Sequence, residues 1–293
     1  MVNILSGKDV SRKVYTDLTP RINSLKEKGI TPCLAVILVG EDSASKIYVN
    51  SKTKKFKSLG LHSKTFHFKN SIDETILIRK IQALNNANNI HGILLQLPLP
   101  KHINDLKILQ LVSPNKDVDG FHPENVGLLS IGHPRFISCT PKGIMRIFEH
   151  YNINLNGKHV VILGRSNIVG RPMSLLTGLK KIGANATTTV CHSGTINIQD
   201  YTSSADIVIS AMGIPEFLKG KMLKKGAVVI DVGINRVKVD NERGYVLVGD
   251  ADWHSIQENI SAATPVPGGV GPMTIAMLAE NTVEAAERII NVP

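Results

Sequence analysis

Apolar and polar residues follow two patterns along the chain, and these patterns alternate. Stretches with an apolar residue at every third or fourth position predict amphipathic helices, the first of which ends at Gly29. Unbroken apolar runs bounded by proline or glycine predict strands that are buried on both faces of a parallel sheet. In the first half of the chain, the predicted helices cover 8–28, 43–59 and 71 to about 85, and the predicted strands cover 33–40 and 92–97.

Two helix starts carry capping signals. Ser71 and Glu74 have the spacing of a capping box, which predicts that the third helix opens there. Thr140 followed by Pro141 predicts an N-cap with a proline at the first helical position, and a helix that continues to about His150. The segment 114–134, which is rich in asparagine, glycine and proline, is interpreted as a connection.

The second half of the chain repeats the alternation. Strands are predicted at 158–164, 186–191, 206–211 and 227–231, and a final helix at 273–290. Helices that alternate with buried strands predict an α/β fold. Two lobes with a boundary near residues 120–140 fit the pattern best, and the final helix is free to return to either lobe.

Composition narrows the class of protein. The chain has 293 residues, of which 42% are hydrophobic and 20% charged, as in an average folded protein. No apolar run approaches the roughly 20 residues that a membrane span needs. The short apolar stretch after Met1 is not a signal peptide, so a cytoplasmic protein is expected. Three cysteines without CxxC spacing argue against a disulfide framework and a structural zinc site.

The net charge of +10 points to an anionic partner. Nucleic acids, membrane surfaces and small polyanions all fit a basic chain. Because aromatic residues make up only 4% of the chain, stacking on single-stranded nucleic acid is disfavoured. A solvated basic surface or a site for a small polyanion is the preferred interpretation.

A candidate dinucleotide site begins at Gly164, where a predicted strand meets a glycine turn and then a helix. The G-x-G-x-x-G pattern is absent, so Gly164 and Gly170 alone are also compatible with a turn that binds nothing. The next strand ends at His192 and Ser193, without the acidic residue that binds the ribose hydroxyls in NAD sites. Arg165 with Ser193 suits a 2′-phosphate, which favours NADP over NAD.

The first lobe carries a candidate catalytic pair. Tyr48 and Lys52 are four residues apart and share one face of a predicted helix. Cationic neighbours disfavour the charged form of Lys52 and are expected to lower its pKa. An ordinary solvated basic helix is the alternative. The neighbouring lysines are Lys54, Lys55 and Lys57.

Three further polar or glycine-rich features follow along the chain. Gln96 stands near the end of a buried strand, where open α/β sheets place their ligands. Asp117 and Asp119 lack partners at calcium-loop spacing, so no metal site is predicted, and Asp117 is assigned to a turn. The segment 264–274 has three prolines and three glycines in unusual density, which is typical of a close approach between chain and ligand or of an elaborate structural turn.

Together these segments resemble one family, the bifunctional methylenetetrahydrofolate dehydrogenase/methenyltetrahydrofolate cyclohydrolases. The matching segments occur in family order across nearly the whole chain, and jointly they are highly specific. They are Ser45-Lys-Ile-Tyr-Val-Asn-Ser-Lys52, Gly92-Ile-Leu-Leu-Gln-Leu-Pro-Leu-Pro100, Lys116-Asp-Val-Asp-Gly-Phe121, Gly164-Arg-Ser-Asn-Ile-Val-Gly-Arg-Pro172 and Pro265-Val-Pro-Gly-Gly-Val-Gly-Pro-Met-Thr274.

The resemblance implies an N-terminal α/β catalytic domain and a Rossmann-like dinucleotide-binding domain with a cleft between them. Residues 1–139, completed by the C-terminal helix 270–293, would bind folate, and residues 140–269 would bind NADP. The enzyme would oxidise 5,10-methylenetetrahydrofolate to the methenyl compound and hydrolyse that to 10-formyltetrahydrofolate. A homodimer is expected from the family only, and neither nucleic acid nor membrane is an expected partner.

The resemblance also implies roles for individual residues. Lys52 would move protons, Tyr48 would stack on the folate, Gln96 would fix Lys52, and Asp119 would accept hydrogen bonds from the pterin. The implied catalytic residues are Lys52, Tyr48, Gln96 and Asp119, and the implied substrate-binding residues add Leu97, Pro267, Gly268, Gly271 and Pro272. The implied cofactor-binding residues are Gly164, Arg165, Ser166, Ile168, Val169, His192, Ser193 and Ile234.

Three alternatives remain open from the sequence. The first is a relative that performs only one of the two reactions. The second is a nucleic-acid-binding or regulatory protein on a Rossmann-type scaffold, which would bind DNA with a steep salt dependence. The third is an NADP oxidoreductase with another substrate, against which the set of implied catalytic residues argues.

Overall fold

The computed structural model describes residues 2–240, 242 and 244–290, and the chain folds as two compact units. The first, here the three-stranded unit, covers Lys13–Cys139 and the described part of Ile275–Pro293. The second, here the six-stranded unit, covers the described part of Met1–Arg12 together with Thr140–Thr274. Residues 291–293 of the predicted C-terminal segment lie outside the described residues.

The three-stranded unit is built on a parallel sheet with the strand order β3-β2-β4. Its middle strand is buried along its whole length, because helices and loops cover both faces.

The elements of the first half of the chain, taken over both units, are β1 (Asn3–Ile4), α1 (Gly7–Glu27), β2 (Cys33–Val39), α2 (Ser43–Ser58), β3 (His62–Phe68), α3 (Glu74–Asn86), β4 (Gly92–Gln96), α4 (Asp105–Leu109), α5 (Pro123–Ser130) and α6 (Cys139–His150).

The six-stranded unit contains a parallel sheet with the strand order β1-β11-β8-β7-β5-β6, and a separate antiparallel hairpin of β9 and β10. Pairing of β1 with β11 attaches the first residues of the chain to this unit. The remaining elements are β5 (His159–Leu163), α7 (Gly170–Gly178), β6 (Thr187–Cys191), α8 (Ile198–Thr202), β7 (Ile207–Ser210), β8 (Ala227–Asp231), β9 (Asn235–Lys238), β10 (Tyr245–Val248), α9 (Trp253–Ile256), β11 (Ile260–Ala263) and α10 (Val270–Ile290).

The predicted α/β class is confirmed, and so are the six strands predicted from apolar runs. Each lies within two residues of its predicted bounds, and β8 matches the prediction at both ends. Helices α1 and α2 are also where periodicity predicts them. Among the described residues, no helix is long and apolar enough to cross a bilayer.

Several predicted element boundaries are wrong. Asp73 rather than Ser71 caps α3, because its carboxylate accepts from the Thr75 backbone N–H at 2.7 Å. Helix α6 begins at Cys139, so Thr140 lies inside the first turn and is not the N-cap. The predicted connection 114–134 contains α5, and the final helix starts three residues before its predicted start.

Parallel strand direction places particular chain segments at one edge of each sheet. In the six-stranded unit, the residues that follow β5, β6, β7 and β8 emerge at the carboxyl ends of neighbouring strands. In the three-stranded unit, Gly40 and Leu97 follow β2 and β4 at the corresponding edge. These edges are where open α/β sheets bind ligands.

Candidate active site

A buried lysine is the centre of the three-stranded unit's polar cluster. Asp42 caps the N-terminus of helix α2, because its carboxylate accepts from the Ser45 backbone N–H at 2.7 Å. One turn separates Tyr48 from Lys52, and the Lys52 Nζ lies 5.3 Å from the centre of the Tyr48 ring. Lys52 is only 6% exposed. The shared helix face predicted for the two side chains is therefore present, and the solvated alternative for Lys52 is wrong.

Gln96 fixes the lysine from the end of β4. Its Oε1 accepts from the Lys52 Nζ at 3.0 Å, and its Nε2 donates to the Leu97 carbonyl oxygen at 2.9 Å. Because the amide nitrogen is occupied by Leu97, the amide oxygen faces the lysine. The side chain thus has one orientation in which both of its ends are used.

Burial and charge act in opposite directions on the pKa values in this cluster. Burial lowers the pKa of the Lys52 ammonium, and the charge of Asp119 opposes that shift. Burial raises the pKa of Asp119, while the charge of Lys52 and a hydrogen bond from Cys139 favour its ionised form. The Tyr48 pKa is raised by burial and by Asp119. The lower pKa expected for Lys52 is found, but burial causes it rather than the neighbouring lysines.

The turn that carries Asp119 is held from several sides. The Asp117 carboxylate accepts from the His122 backbone N–H at 2.7 Å and the Asn125 Nδ2 at 2.9 Å, which is the turn role assigned to it. The Nδ2 of Asn281, on α10, donates to the Val118 carbonyl oxygen at 2.7 Å. No cluster of metal-ligating side chains occurs among the residues that the structure describes.

The glycine turn of the six-stranded unit is tight enough to require its glycines. Gly164 has φ +118°, and a Cβ there would lie 2.4 Å from the Ala211 carbonyl oxygen. A Cβ on Gly170 would lie 2.1 Å from the Gly164 carbonyl oxygen. The Ser166 Oγ accepts from the Val169 backbone N–H at 3.1 Å where α7 begins. The turn therefore brings backbone, rather than side chains, close to the helix N-terminus.

Most side chains predicted to bind the cofactor lie on the surface at this edge. Arg165, Ser166, Ile168 and Ser193 are exposed, and Ile234 is 48% exposed. No carboxylate follows β6 directly.

His192 has a local structural role that the sequence left open. Its Nδ1 accepts from the Gly194 backbone N–H at 3.1 Å, and its own backbone N–H donates to the Thr195 Oγ1 at 2.9 Å. These bonds fix the turn after β6.

The proline- and glycine-rich segment forms a tight turn before α10. A cis peptide bond precedes Pro267, and Gly268 has φ +112° with its carbonyl oxygen 3.2 Å from the Lys8 backbone nitrogen. A Cβ on Gly7 would lie 1.8 Å from the Gly269 carbonyl oxygen. The other two predicted substrate-binding residues, Gly271 and Pro272, are in the first turn of α10. The segment is thus an elaborate turn within the six-stranded unit.

Sequence reasoning missed two buried aspartates, Asp231 and Asp250. The Asp231 carboxylate accepts from three backbone N–H groups, and burial raises its pKa to about 6. Asp250 is fully buried. A signal was present in the sequence, because Gly233 and Gly249 stand beside these acids at the ends of apolar runs.

Two domain models match the chain. The tetrahydrofolate dehydrogenase/cyclohydrolase catalytic domain matches residues 5–119, and the tetrahydrofolate dehydrogenase/cyclohydrolase NAD(P)-binding domain matches residues 138–290. The chain belongs to the tetrahydrofolate dehydrogenase/cyclohydrolase family. It is a bifunctional dehydrogenase and cyclohydrolase with an NAD(P)-binding domain, which confirms the predicted family, its two-domain fold and its two activities.

Members of this family resemble the chain over its full length. "Bifunctional protein FolD" of Campylobacter hominis is 51% identical over 286 residues, covering 98% of each chain. The protein of the same name from Chlorobium phaeobacteroides is 48% identical over 295 residues, covering 99% of each chain.

Solved structures of family members agree with this fold. The Campylobacter jejuni FolD methylenetetrahydrofolate dehydrogenase/cyclohydrolase is 46% identical with a TM-score of 0.92, covering 99% of this chain and 100% of that one. The Trypanosoma brucei FolD, solved with NADP cofactor and an inhibitor, is 34% identical with a TM-score of 0.94, covering 99% of each chain.

Proposed function

We propose that this enzyme oxidises 5,10-methylenetetrahydrofolate with NADP and hydrolyses the product at a site centred on Lys52. Loss of a hydride from the one-carbon bridge leaves the methenyl cation. Water then adds to that carbon, and one carbon–nitrogen bond breaks to give 10-formyltetrahydrofolate. The observation that carries the proposal is the buried Lys52 Nζ, 3.0 Å from the Gln96 amide oxygen and beside the Tyr48 ring.

Lys52 supplies the proton transfers of the hydrolysis. A neutral amine is needed to take a proton from the attacking water, and the resulting ammonium returns a proton to the departing ring nitrogen. Burial favours the neutral form of Lys52, and a cationic substrate beside it favours that form further. Gln96 is the positioning residue that holds the amine in place.

Tyr48 and Asp119 orient the folate. The Tyr48 ring offers a flat face on which the folate stacks. The ionised Asp119 carboxylate accepts hydrogen bonds from the pterin N–H groups. As long as Lys52 is protonated, its charge favours this ionised form. Hydride loss gives a stabilised cation, so this positioning matters more to the oxidation than acid catalysis does. Leu97 and the segment with Pro267, Gly268, Gly271 and Pro272 are proposed as further folate contacts.

The residues present fit a bound NADP. The turn from Gly164 to Gly170 packs its backbone tightly and leads into the N-terminus of α7, where backbone N–H groups favour an anion such as a phosphate. Arg165 and Ser193 are exposed donors, and the absence of a carboxylate after β6 removes the repulsion that a 2′-phosphate would meet. When bound, the nicotinamide accepts the hydride. The proposed cofactor contacts are Gly164, Arg165, Ser166, Ile168, Val169, His192, Ser193 and Ile234.

A spectrophotometric assay of purified protein tests the proposal. Methylenetetrahydrofolate with NADP should give reduced nucleotide and transient methenyl absorbance, and added methenyltetrahydrofolate should lose its absorbance without nucleotide. NAD should support the first reaction far less well than NADP. An equal rate with NAD would contradict the cofactor choice, and loss of either reaction would indicate a monofunctional relative.

The homodimeric state and the cytoplasmic location stay predictions from the sequence and its resemblance. Analytical sedimentation of the purified protein measures its oligomeric state, and a monomer would contradict the predicted homodimer.

A further inference from the structure

The Asp250 carboxylate connects two loops at the carboxyl edge of the six-stranded sheet. Its Oδ2 accepts from the backbone N–H groups of Met212 and Gly213, at 2.7 and 3.1 Å. Its Oδ1 accepts from the Asn235 Nδ2 at 2.9 Å. One buried side chain therefore fixes both the turn that follows β7 and the residue that opens β9.

A second carboxylate fixes Asp250 in turn. Asp231 Oδ1 accepts from the backbone N–H groups of Gly233 and Asp250, both at 2.9 Å. A Cβ on Gly233 would lie 2.2 Å from Asp250 Oδ1, and a Cβ on Gly249 would lie 1.9 Å from Asp231 Oδ2. The backbone therefore passes so close to both acids that only glycine fits beside them.

These two loops carry or contact residues of the proposed cofactor site. Ala211 precedes the turn held by Asp250, and its carbonyl oxygen lies 2.4 Å from the position that a Cβ on Gly164 would take. Ile234 lies between Gly233 and Asn235, which contact Asp231 and Asp250 respectively. Movement of the Asp250 carboxylate would therefore be transmitted to both Gly164 and Ile234.

We propose that Asp250, held by Asp231, is a positioning residue of the NAD(P) site that acts through its hydrogen bonds to Met212, Gly213 and Asn235. Neither acid forms an ion pair among the described residues, and burying carboxylates without a cation is costly. Backbone and amide donors offset that cost only in this one arrangement of the loops. The inference rests on the NAD(P)-binding assignment of the domain and is independent of the choice of NADP over NAD.

Substitution of Asp250 tests the proposal. D250L removes both acceptor oxygens, so we expect the Kd for NADP to rise at least tenfold. The KM for methenyltetrahydrofolate, measured without nucleotide, should change less than twofold. D250N should lie between wild type and D250L, because its amide oxygen still accepts from Met212 and Gly213 while its NH₂ group donates to a rotated Asn235.

D252N is the matched control. Asp252 lies two residues further on, pairs with Lys219 at 3.0 Å and caps α9 without contacting either loop. Its Kd for NADP should stay within twofold of wild type. A D250L Kd within twofold of wild type would overturn the proposal, as would equal rises in the nucleotide Kd and the methenyltetrahydrofolate KM, which indicate a general structural role.

Amide hydrogen exchange in D250N provides a second test that needs neither D250L to fold nor the enzyme to turn over. Weaker hydrogen bonds should speed exchange at Met212 and Gly213, together with weaker NADP binding. Faster exchange with unchanged NADP affinity would show that these loops do not position the nucleotide. Binding is measured directly, so an inactive wild-type protein would contradict the proposed function while leaving this inference testable.

Discussion

The two units use buried polar groups in opposite ways. In the three-stranded unit the buried group, Lys52, is itself the proposed reactive group, and its neighbours Gln96 and Asp119 act on it directly. In the six-stranded unit the proposed ligand contacts, such as Arg165, are exposed, and the buried groups are Asp231 and Asp250 behind them. In the three-stranded unit, burial lowers the pKa of Lys52. In the six-stranded unit, the buried carboxylate of Asp250 fixes the position of the backbone.

This difference shows what burial does to a charged group in each environment. Burial lowers the pKa of Lys52, whose hydrogen-bond partner Gln96 is neutral, and a lower pKa suits the amine to the proposed role of a base. Asp250 accepts from two backbone N–H groups, a side-chain amide and the Ser210 hydroxyl, which together fix the carboxylate in one geometry. We therefore expect substitutions in the first unit to change chemical rate, and substitutions in the second to change nucleotide binding and stability.

Replacement of Lys52 should give the largest effect. Lys52→Met removes the proposed base, so the cyclohydrolase rate should fall by about 10²- to 10⁴-fold. The decay of methenyltetrahydrofolate absorbance measures the cyclohydrolase rate. Lys54→Met, on the exposed side of the same helix, is the control and should keep a rate close to wild type. Normal hydrolysis by Lys52→Met would remove Lys52 from the mechanism.

Asp231 should give the largest pH-dependent effect on stability. Its folded-state pKa of about 6 lies above its ordinary 3.8, so its stabilising contribution is full below pH 4 and is lost as pH rises through 6. The difference corresponds to about 3 kcal/mol. Denaturant unfolding from pH 4 to 8 should show the free energy of unfolding of wild type falling relative to Asp231→Asn.

Asp206 serves as a control of opposite sign. Its hydrogen bond from Lys224 lowers its pKa, so wild type should gain stability relative to Asp206→Asn as pH rises through the acidic range. A pH-independent difference between wild type and Asp231→Asn would show that Asp231 is not perturbed as the structure indicates.

Arg165→Ala should weaken NADP binding more than NAD binding. Loss of a charged hydrogen bond to the 2′-phosphate should raise the KM for NADP by about tenfold or more. NAD lacks that phosphate and is therefore the internal control. Equal rises in both KM values would show that Arg165 does not recognise the 2′-phosphate.

The smallest effect should be a shift in a pH profile. The charge of Asp119 raises the Lys52 pKa, so Asp119→Asn should lower it further. The rising limb of cyclohydrolase rate against pH should therefore move to lower pH, whatever the absolute rate of the variant. A limb that stays in place or moves to higher pH would show that Asp119 does not act on the Lys52 charge.

Residues separated by one helical turn or at the end of an apolar run could be predicted from sequence. Tyr48 and Lys52 share a face because the helix period requires it, and Gln96 ends a strand that its apolar run defines. The cause of the Lys52 pKa shift could not be predicted, since it depends on burial by residues distant in sequence. The neighbouring lysines predict the right direction of the Lys52 pKa shift, but its cause is burial.

Features set by long-range packing were missed. Strand β3 consists of exposed and half-buried residues and contains a lysine and two histidines, so no apolar run marks it. Asp231 and Asp250 are 19 residues apart, and no periodicity connects them.

The cap of α3 is a local feature that the sequence pattern assigns to the wrong residue. Ser71 and Glu74 have the spacing of a capping box, but Asp73, which directly precedes the helix, is the N-cap.

Asn281 gives the order of chain synthesis a consequence for catalysis. Its amide nitrogen donates to the carbonyl oxygens of Val118 and Ile137, at 2.7 and 3.0 Å, from near the end of the chain. A nascent polypeptide therefore lacks these bonds to the Asp119 turn until Asn281 has left the ribosome. Fragments truncated before α10 would carry Lys52 and Asp119 yet lack that support for the carboxylate that we propose to bind the pterin.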